Sequence, residues 1–229
     1  MNPPLSSKEL ELLRAINTPT IANALEVLGA SPRDEGFTSE PVRCMFPDLG
    51  VTVGYAITLT VRSTKPPESS RPSMLKAYWD HIGACPTPRV VVAQDLDEHP
   101  VGAWWGEINA NIHRALGCIG VVTNGTVRDL DEVKPLGFQF VAAGLAVSHV
   151  HAHLEDFGKT VSIGGMKVKP GDIIHADKHG AIVIPQAQAK DVLKAVLAVE
   201  SYERPLIQLC KSPAFSTLEL ERLMTRKVI

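Results

Sequence analysis

Two short, uninterrupted apolar runs constrain this chain more than any other feature. They are Arg89-Val90-Val91-Val92-Ala93 and Ile119-Gly120-Val121-Val122-Thr123. Neither alternates between apolar and polar residues, so each reads as a strand buried on both faces. Between them the pattern predicts a helix opening at Gly106 and running to about Leu116. Gly117 suits the position just past its end, where left-handed backbone is needed. Strand, helix and strand in succession imply a sheet covered by helices.

The rest of the chain fits that frame. Val51 to Val61 is one long strand or two short ones, rich in Val, Thr and Ile. Phe138 to Ala142 is a further strand candidate. Thr160 to Val168 alternates faces around Gly164-Gly165, as a hairpin does. Pro170-Gly171-Asp172 then turns the chain into a strand at Ile173 to Ala176, and Ala181 to Ile184 forms the last, ended by Pro185. Asp95-Leu96-Asp97 is expected just beyond a strand end. Asn124-Gly125 is a turn signal.

Helices are expected at both ends. Ser6 and Glu9 form a capping box before Leu10, Leu13 and Ile16. Thr18-Pro19-Thr20 breaks that helix. A second follows through Ile21, Ala24, Leu25 and Leu28 and stops at Gly29. Residues 30–50 read as a long loop, and Ser63 to Arg71 as another. Met74 to Ile82 has helical spacing. From Ala187 to about Leu209 the pattern is helical, with Pro205 as a kink or boundary. Ser216 or Thr217 caps a final helix to Met224. The expectation is an α/β fold: a mixed sheet with helices outside. It forms one domain over residues 1–229, with a C-terminal helical extension from about residue 187.

Composition narrows the function classes. Hydrophobic residues make up 45% of the 229, enough for a substantial core. The net charge is −2 and the basic residues are scattered, which argues against a nucleic-acid surface. No stretch approaches the roughly 20 apolar residues of a membrane span. Met1 to Ser6 lacks the features of a signal peptide. Cys44, Cys85, Cys118 and Cys210 are far apart, as expected of reduced thiols in a cytoplasmic protein.

The chemistry concentrates around residues 106–132. Arg128 and Asp129 follow a predicted strand. A planar guanidinium grips a carboxylate through two hydrogen bonds, and a carboxylate beside it can hold a hard cation. Asp131 and Glu132 add acids nearby. The unpaired amides at the Gly106 helix start attract anions. A plain helix start, with Arg128 and Asp129 pairing with neighbours, accounts for the same residues. His149, His151 and His153 would share one face of a strand. They suit either a zinc-type three-His site or structural histidines. His175 and His179 lie near Asp177 and receive no catalytic role. Trp104-Trp105 suit a pocket wall or a subunit contact. The chain has no dinucleotide-binding glycine motif, no phosphate-binding loop and no nucleophile motif.

Gly106-Glu107-Ile108-Asn109, the Gly117-to-Asp129 segment, and Pro170 to Asp177 with Gly180 resemble the family of the regulator of ribonuclease E activity A. The resemblance runs from about Leu10 to Glu203. That family includes class II 4-hydroxy-4-methyl-2-oxoglutarate aldolases, which also decarboxylate oxaloacetate. The resemblance implies a swivelling β/β/α sandwich and homotrimers or homohexamers with active sites between subunits. It implies Gly106, Glu107, Ile108 and Asn109 as substrate contacts, Arg128 as the substrate-binding arginine and Asp129 as the direct ligand of Mg²⁺ or Mn²⁺. Glu132, three residues on, fits the aldolase pattern. Glu203 or Glu200 of a neighbouring subunit would join the ion through water. Asn124 and Asn23 stand where many members have acids.

The implied reaction cleaves a carbon–carbon bond of a small 2-oxo acid and leaves the enolate of pyruvate. The metal stabilises its charge, and a metal-bound water carries the proton. No Lys is placed for a Schiff base. The rival reading is a non-catalytic, protein-binding regulator of a ribonuclease E type enzyme. A zinc hydrolase built on His149 to His153 is a third.

Overall fold

The computed structural model describes residues 5–30, 33–68 and 74–225. The expectations for Met1 to Pro4, for residues 31–32 and for the end of the 63–71 loop lie outside the described residues.

Eleven residues, Thr52–Arg62, form strand β2, the spine of the molecule. One edge pairs in parallel with β3 (Arg89–Asp95). The other edge serves two partners. Antiparallel β9 (Ile173–Asp177) takes its first half, and β6 (His153–Phe157) takes its second. Beyond β3, strands β4 (Cys118–Val127) and β5 (Gln139–Leu145) continue in parallel. The short β1 (Arg43–Cys44) closes one end of the sheet and β10 (Gly180–Ile184) the other. Strands β2 to β5 therefore all point their C-terminal ends the same way, and ligand sites of α/β sheets gather at that end.

Alternation along β2 divides the core. Val53 and Tyr55 pack under α1 (Ser7–Arg14), α2 (Thr18–Val27) and the first half of α6 (Val192–Lys211). Ile57, Leu59 and Val61 point to the same side and pack under α3 (Leu75–Ala84) and α4 (Glu107–Ala115). Ala56 points to the other side. There Val90, Val92, Val122 and Ile174 meet the hairpin of β7 (Val161–Ile163) and β8 (Met166–Val168). Hairpin, sheet and helices make the three layers of the expected β/β/α sandwich. The hairpin turn is Gly164-Gly165, with φ +54° and +92°, angles that suit glycine.

The local signals are mostly realised. Ser6 and Glu9 form the capping box. Gly117 takes φ +75° after α4. Ser216 caps α7 (Thr217–Met224). No described helix is long and apolar enough to cross a membrane.

Several expectations are corrected. Thr18-Pro19-Thr20 does not separate the first two helices. It is the first turn of α2, where the missing Pro19 N–H costs nothing, and Asn17 Oδ1 accepts from Thr20 N at 2.9 Å. The 30–50 stretch contains β1 and a 3₁₀ turn at Pro47–Leu49. Helix α6 runs through Pro205 rather than ending there. Asp95 is the last residue of β3, not beyond it. Asn124-Gly125 is not a turn but a bulge within β4. There the Asn124 side chain replaces a ladder partner. Its Oδ1 accepts from Asp95 N at 2.7 Å and its Nδ2 donates to Asp95 O at 2.9 Å.

Leu59 is fully buried at the centre of the spine. Leu59→Ala should cost about 2–5 kcal/mol of unfolding free energy, from lost transfer energy plus the cavity left behind. Urea denaturation checks this, and a loss below about 1 kcal/mol would mean the site collapses around the smaller side chain.

Candidate active site

The end of β4 is stitched to the start of α4. Arg128 N donates to Trp105 O at 2.9 Å. Asp129 takes left-handed backbone, φ 58° and ψ 46°, which non-glycine residues adopt seldom but Asp more readily than most. That conformation swings its carboxylate back over α4, where Oδ2 accepts from Glu107 N at 2.9 Å. The Arg128 Nε lies 3.6 Å from the same oxygen. Asp129 thus caps the helix that opens at Gly106, which has no side-chain cap of its own. The negative charge also suits the positive end of the helix dipole.

Gly106 is required by space rather than by backbone angle. Its backbone is extended, but a Cβ would collide with Asp129 Oδ2 and come within 3.1 Å of Arg128 Cγ. The next two amides of the first turn, on Ile108 and Asn109, have no acceptor among the described residues. An open groove of about 340 Å³ lies against this corner, lined by Val127 to Leu130 and by Leu145, Ala146 and Val147. The groove wall is apolar and open: Leu145 and Val147 are 60% and 98% exposed.

The expected grouping of Arg128, Asp129 and the Gly106 turn is therefore realised, with one amendment. Asp129 already holds the first helix amide, so Ile108 and Asn109 remain for an anion. Glu107 and Glu132 are exposed, and Glu132 makes no hydrogen bond to Arg128 or Asp129. Within one chain Glu203 is elsewhere. It sits on α6 and accepts from Asn23 Nδ2 at 3.0 Å, beside the β9–β10 end of the sheet. Glu200 pairs with Arg204 on the same helix.

The three-His face is not formed. His149 and His151 lie in the turn before β6, and Val150 between them has φ +47°, so only His153 is in a strand. His153 is held between His151 O at 2.7 Å and Glu155 at 2.9 Å. His175 and His179 serve the other end of the molecule. His175 bridges Thr18 and Leu13 O, and His179 pairs with Asp177. Trp105 is buried in the core, stacked on Phe138, while Trp104 is partly exposed beside it.

The donor set suits a hard, well-hydrated cation. Asp129 is about one-third exposed, and its Oδ1 makes no hydrogen bond among the described residues. One carboxylate oxygen is all that a hydrated Mg²⁺ or Mn²⁺ needs from the protein. Among the described residues no three His, Cys, Asp or Glu side chains converge, so no closed zinc-type site is built.

What sequence patterns do not mark is the β5–β6 connection. Val147 O accepts from Arg128 at 3.5 Å, a long contact, and Leu145 to Val147 form one wall. Their only signal is position, at the C-terminal end of a parallel strand. Asp95, at the end of β3, is a buried carboxyl. Burial raises its pKa to about 6 and Asp97 adds to this, against a hydrogen bond from Asp97 N and the charge of Arg62. Burial would raise Asp97 too, but donations from Ser63 and Thr64 outweigh it and bring its pKa to about 2.

Gly106→Ala should leave the circular dichroism unchanged while displacing Asp129. The Glu107 amide, which Asp129 Oδ2 accepts from, should then move in ¹⁵N-TROSY spectra. An unmoved Glu107 resonance would mean that a Cβ fits without displacing Asp129. Asp95 gives a pH prediction. Its folded pKa of about 6 exceeds the ordinary 3.8, so ionising it opposes folding. The contribution of Asp95 to stability should fall as pH rises from about 4 through 6. Asp95→Asn should recover about 1–3 kcal/mol at pH 8 and little at pH 4. Urea titrations at the two pH values check this, and an equal effect at both would refute it.

Comparison with known proteins bears on the family and the fold. A protein of Halalkalibacterium halodurans, provisionally named a 4-hydroxy-4-methyl-2-oxoglutarate aldolase, is 28% identical over 143 residues, covering 62% of this chain and 63% of its own. The chain thus spans somewhat less than two thirds of that relative. An uncharacterized Pseudomonas syringae protein of known structure superposes with a TM-score of 0.76 at 25% identity, covering 97% of this chain and 96% of its own. Streptomyces coelicolor RraAS2, described as an unusual member of the RNase ES inhibitor RraA family, shares the fold with a TM-score of 0.71 at 22% identity, covering 89% and 97%. The RraA-like family model, Aldolase/RraA, matches residues 18–183, so the chain belongs to the Aldolase/RraA family.

Proposed function

We propose that this protein is a divalent-metal-dependent carbon–carbon lyase acting on small 2-oxo acids and releasing pyruvate. The substrates are 4-hydroxy-4-methyl-2-oxoglutarate-like acids, by retro-aldol cleavage, or oxaloacetate, by decarboxylation. The observation that carries this reading is the meeting of a guanidinium and a carboxylate at one groove, with that carboxylate seated on the first turn of α4. The family's aldolase-named relatives support it.

In this scheme Arg128 binds the substrate carboxylate, and the Ile108 and Asn109 amides add two donors to it. Gly106 lets the substrate and Asp129 approach the same backbone. Asp129 is the direct protein ligand of Mg²⁺ or Mn²⁺. Glu132, and Glu203 of a neighbouring subunit, act as outer acids. When bound, the ion supplies Lewis-acid polarisation of the 2-oxo group. Covered by a second subunit, Leu130, Leu145 and Val147 would keep water from the reacting bond and so strengthen each electrostatic contact there. The exposed apolar wall suits burial against a second subunit, consistent with a homotrimer or homohexamer with interfacial sites. A cytoplasmic location completes the proposal. The same wall also suits the second reading, a non-catalytic regulator that binds a ribonuclease E type protein.

The test is pyruvate release from oxaloacetate and from 4-hydroxy-4-methyl-2-oxoglutarate, with Mg²⁺ and with EDTA. EDTA and Asp129→Ala should each abolish release. Full activity in either condition would exclude the scheme. No release from either substrate, together with capture of a ribonuclease E type protein, would establish the regulator.

A further inference from the structure

Behind α4 lies a chain of polar groups that the proposed chemistry does not use. Tyr78 on α3 and His113 on α4 are both fully buried. The Tyr78 hydroxyl is 2.9 Å from His113 Nε2, and His113 Nδ1 is 2.7 Å from Asn109 O. A carbonyl only accepts, so Nδ1 carries the proton, Nε2 accepts, and the tyrosine donates. Both groups are held neutral by burial. The His113 pKa is lowered to about 4, and that of Tyr78 is raised. Asn109 then continues the chain, because its Nδ2 donates to Trp104 O. One residue further on, Trp105 O accepts from Arg128 N.

We propose that Tyr78 and His113 are positioning residues that set the Gly106–Asn109 turn for carboxylate binding. This rests on the reading of the α4 start as the carboxylate site. The two carbonyls before Gly106 are each held by a hydrogen bond, Trp105 O by Arg128 N and Trp104 O by Asn109 Nδ2. Asn109 in turn is held by His113, and His113 by Tyr78. His113 belongs to α4 itself, so the hold from outside the helix comes through the Tyr78 hydroxyl of α3. Two apolar side chains would fill the same space at little cost in stability, since replacing both partners of a buried hydrogen bond is nearly neutral. What a satisfied polar chain adds is one defined geometry. The α4 rotation so defined is what aims the Ile108 and Asn109 amides at the groove beside Arg128.

The experiment uses pyruvate as the probe and the whole chain in its native assembly. In ¹⁵N-TROSY spectra, pyruvate should shift the Ile108 and Asn109 amide resonances of the wild type. If it does not, the carboxylate site itself is wrongly placed, and the relay falls with it. Given that shift, His113→Leu should weaken pyruvate about tenfold and raise KM in proportion, with kcat per folded protein within about twofold, as for loss of uniform binding. A merely structural defect would lower the folded fraction and leave KM unchanged. His113→Asn, whose amide nitrogen takes the place of Nδ1 but which offers Tyr78 nothing at Nε2, should restore pyruvate affinity in part, to about the level of Tyr78→Phe. Tyr78→Phe keeps the ring packing and covers the case in which His113→Leu does not fold. It should weaken pyruvate by about threefold or more, because Nε2 loses its donor. Unchanged pyruvate affinity in His113→Leu or in Tyr78→Phe would overturn the relay, as would His113→Asn binding no better than His113→Leu.

Discussion

The stitch between β4 and α4 is the constraint on which the site depends. Arg128 N meets Trp105 O, and Asp129 Oδ2 meets Glu107 N. These two hydrogen bonds place a cation, an anion and a helix N-terminus within one corner. They also explain the two unusual local features there. Asp129 accepts a left-handed backbone because only that conformation turns its carboxylate onto the helix. Gly106 has no side chain because Asp129 and Arg128 already fill the space that a Cβ would need.

That corner exists because the sheet delivers it. β3, β4 and β5 run parallel, so every crossover begins at the same edge. Asp95, Arg128 and Leu145 all stand at that edge. The β2 spine makes the edge rigid by sharing one side with β3 and the other with both β9 and β6. Polar groups are buried at the same edge at some cost, as the raised pKa of Asp95 records. Polar side chains there pair with one another and with backbone. Asn124 holds the bulge of β4 against β3, and Asp97 gathers Ser63 and Thr64. The Asn124 amide both donates and accepts, which an ionised carboxylate could not do.

Much of the fold was legible in the sequence because burial writes itself into apolar pattern. The runs at Val90–Val92 and Val121–Val122 are buried strands. Gly164-Gly165 is the hairpin turn, and Ser6 with Glu9 is the capping box. The misreadings have two causes: a distant partner in one case, and a local backbone choice in the others. Asn124-Gly125 reads as a turn until Asp95 supplies both of its hydrogen bonds. Pro19 reads as a break until Asn17 starts a new helix around it. The three histidines read as one face until Val150 bends the chain.

The sequence by itself determined the class of fold and the residues carrying charge at the end of β4. Those follow from short-range periodicity and from the chemistry of single side chains. Tertiary structure alone decided which oxygen of Asp129 is engaged and which amides of α4 are open. It decided that Glu203 belongs with Asn23 in the same chain, and that Tyr78 reaches His113. The physical reason is range. A hydrogen bond is specified by tenths of an ångström, and residues 22, 35 or 180 positions apart come that close only through the packing of whole elements.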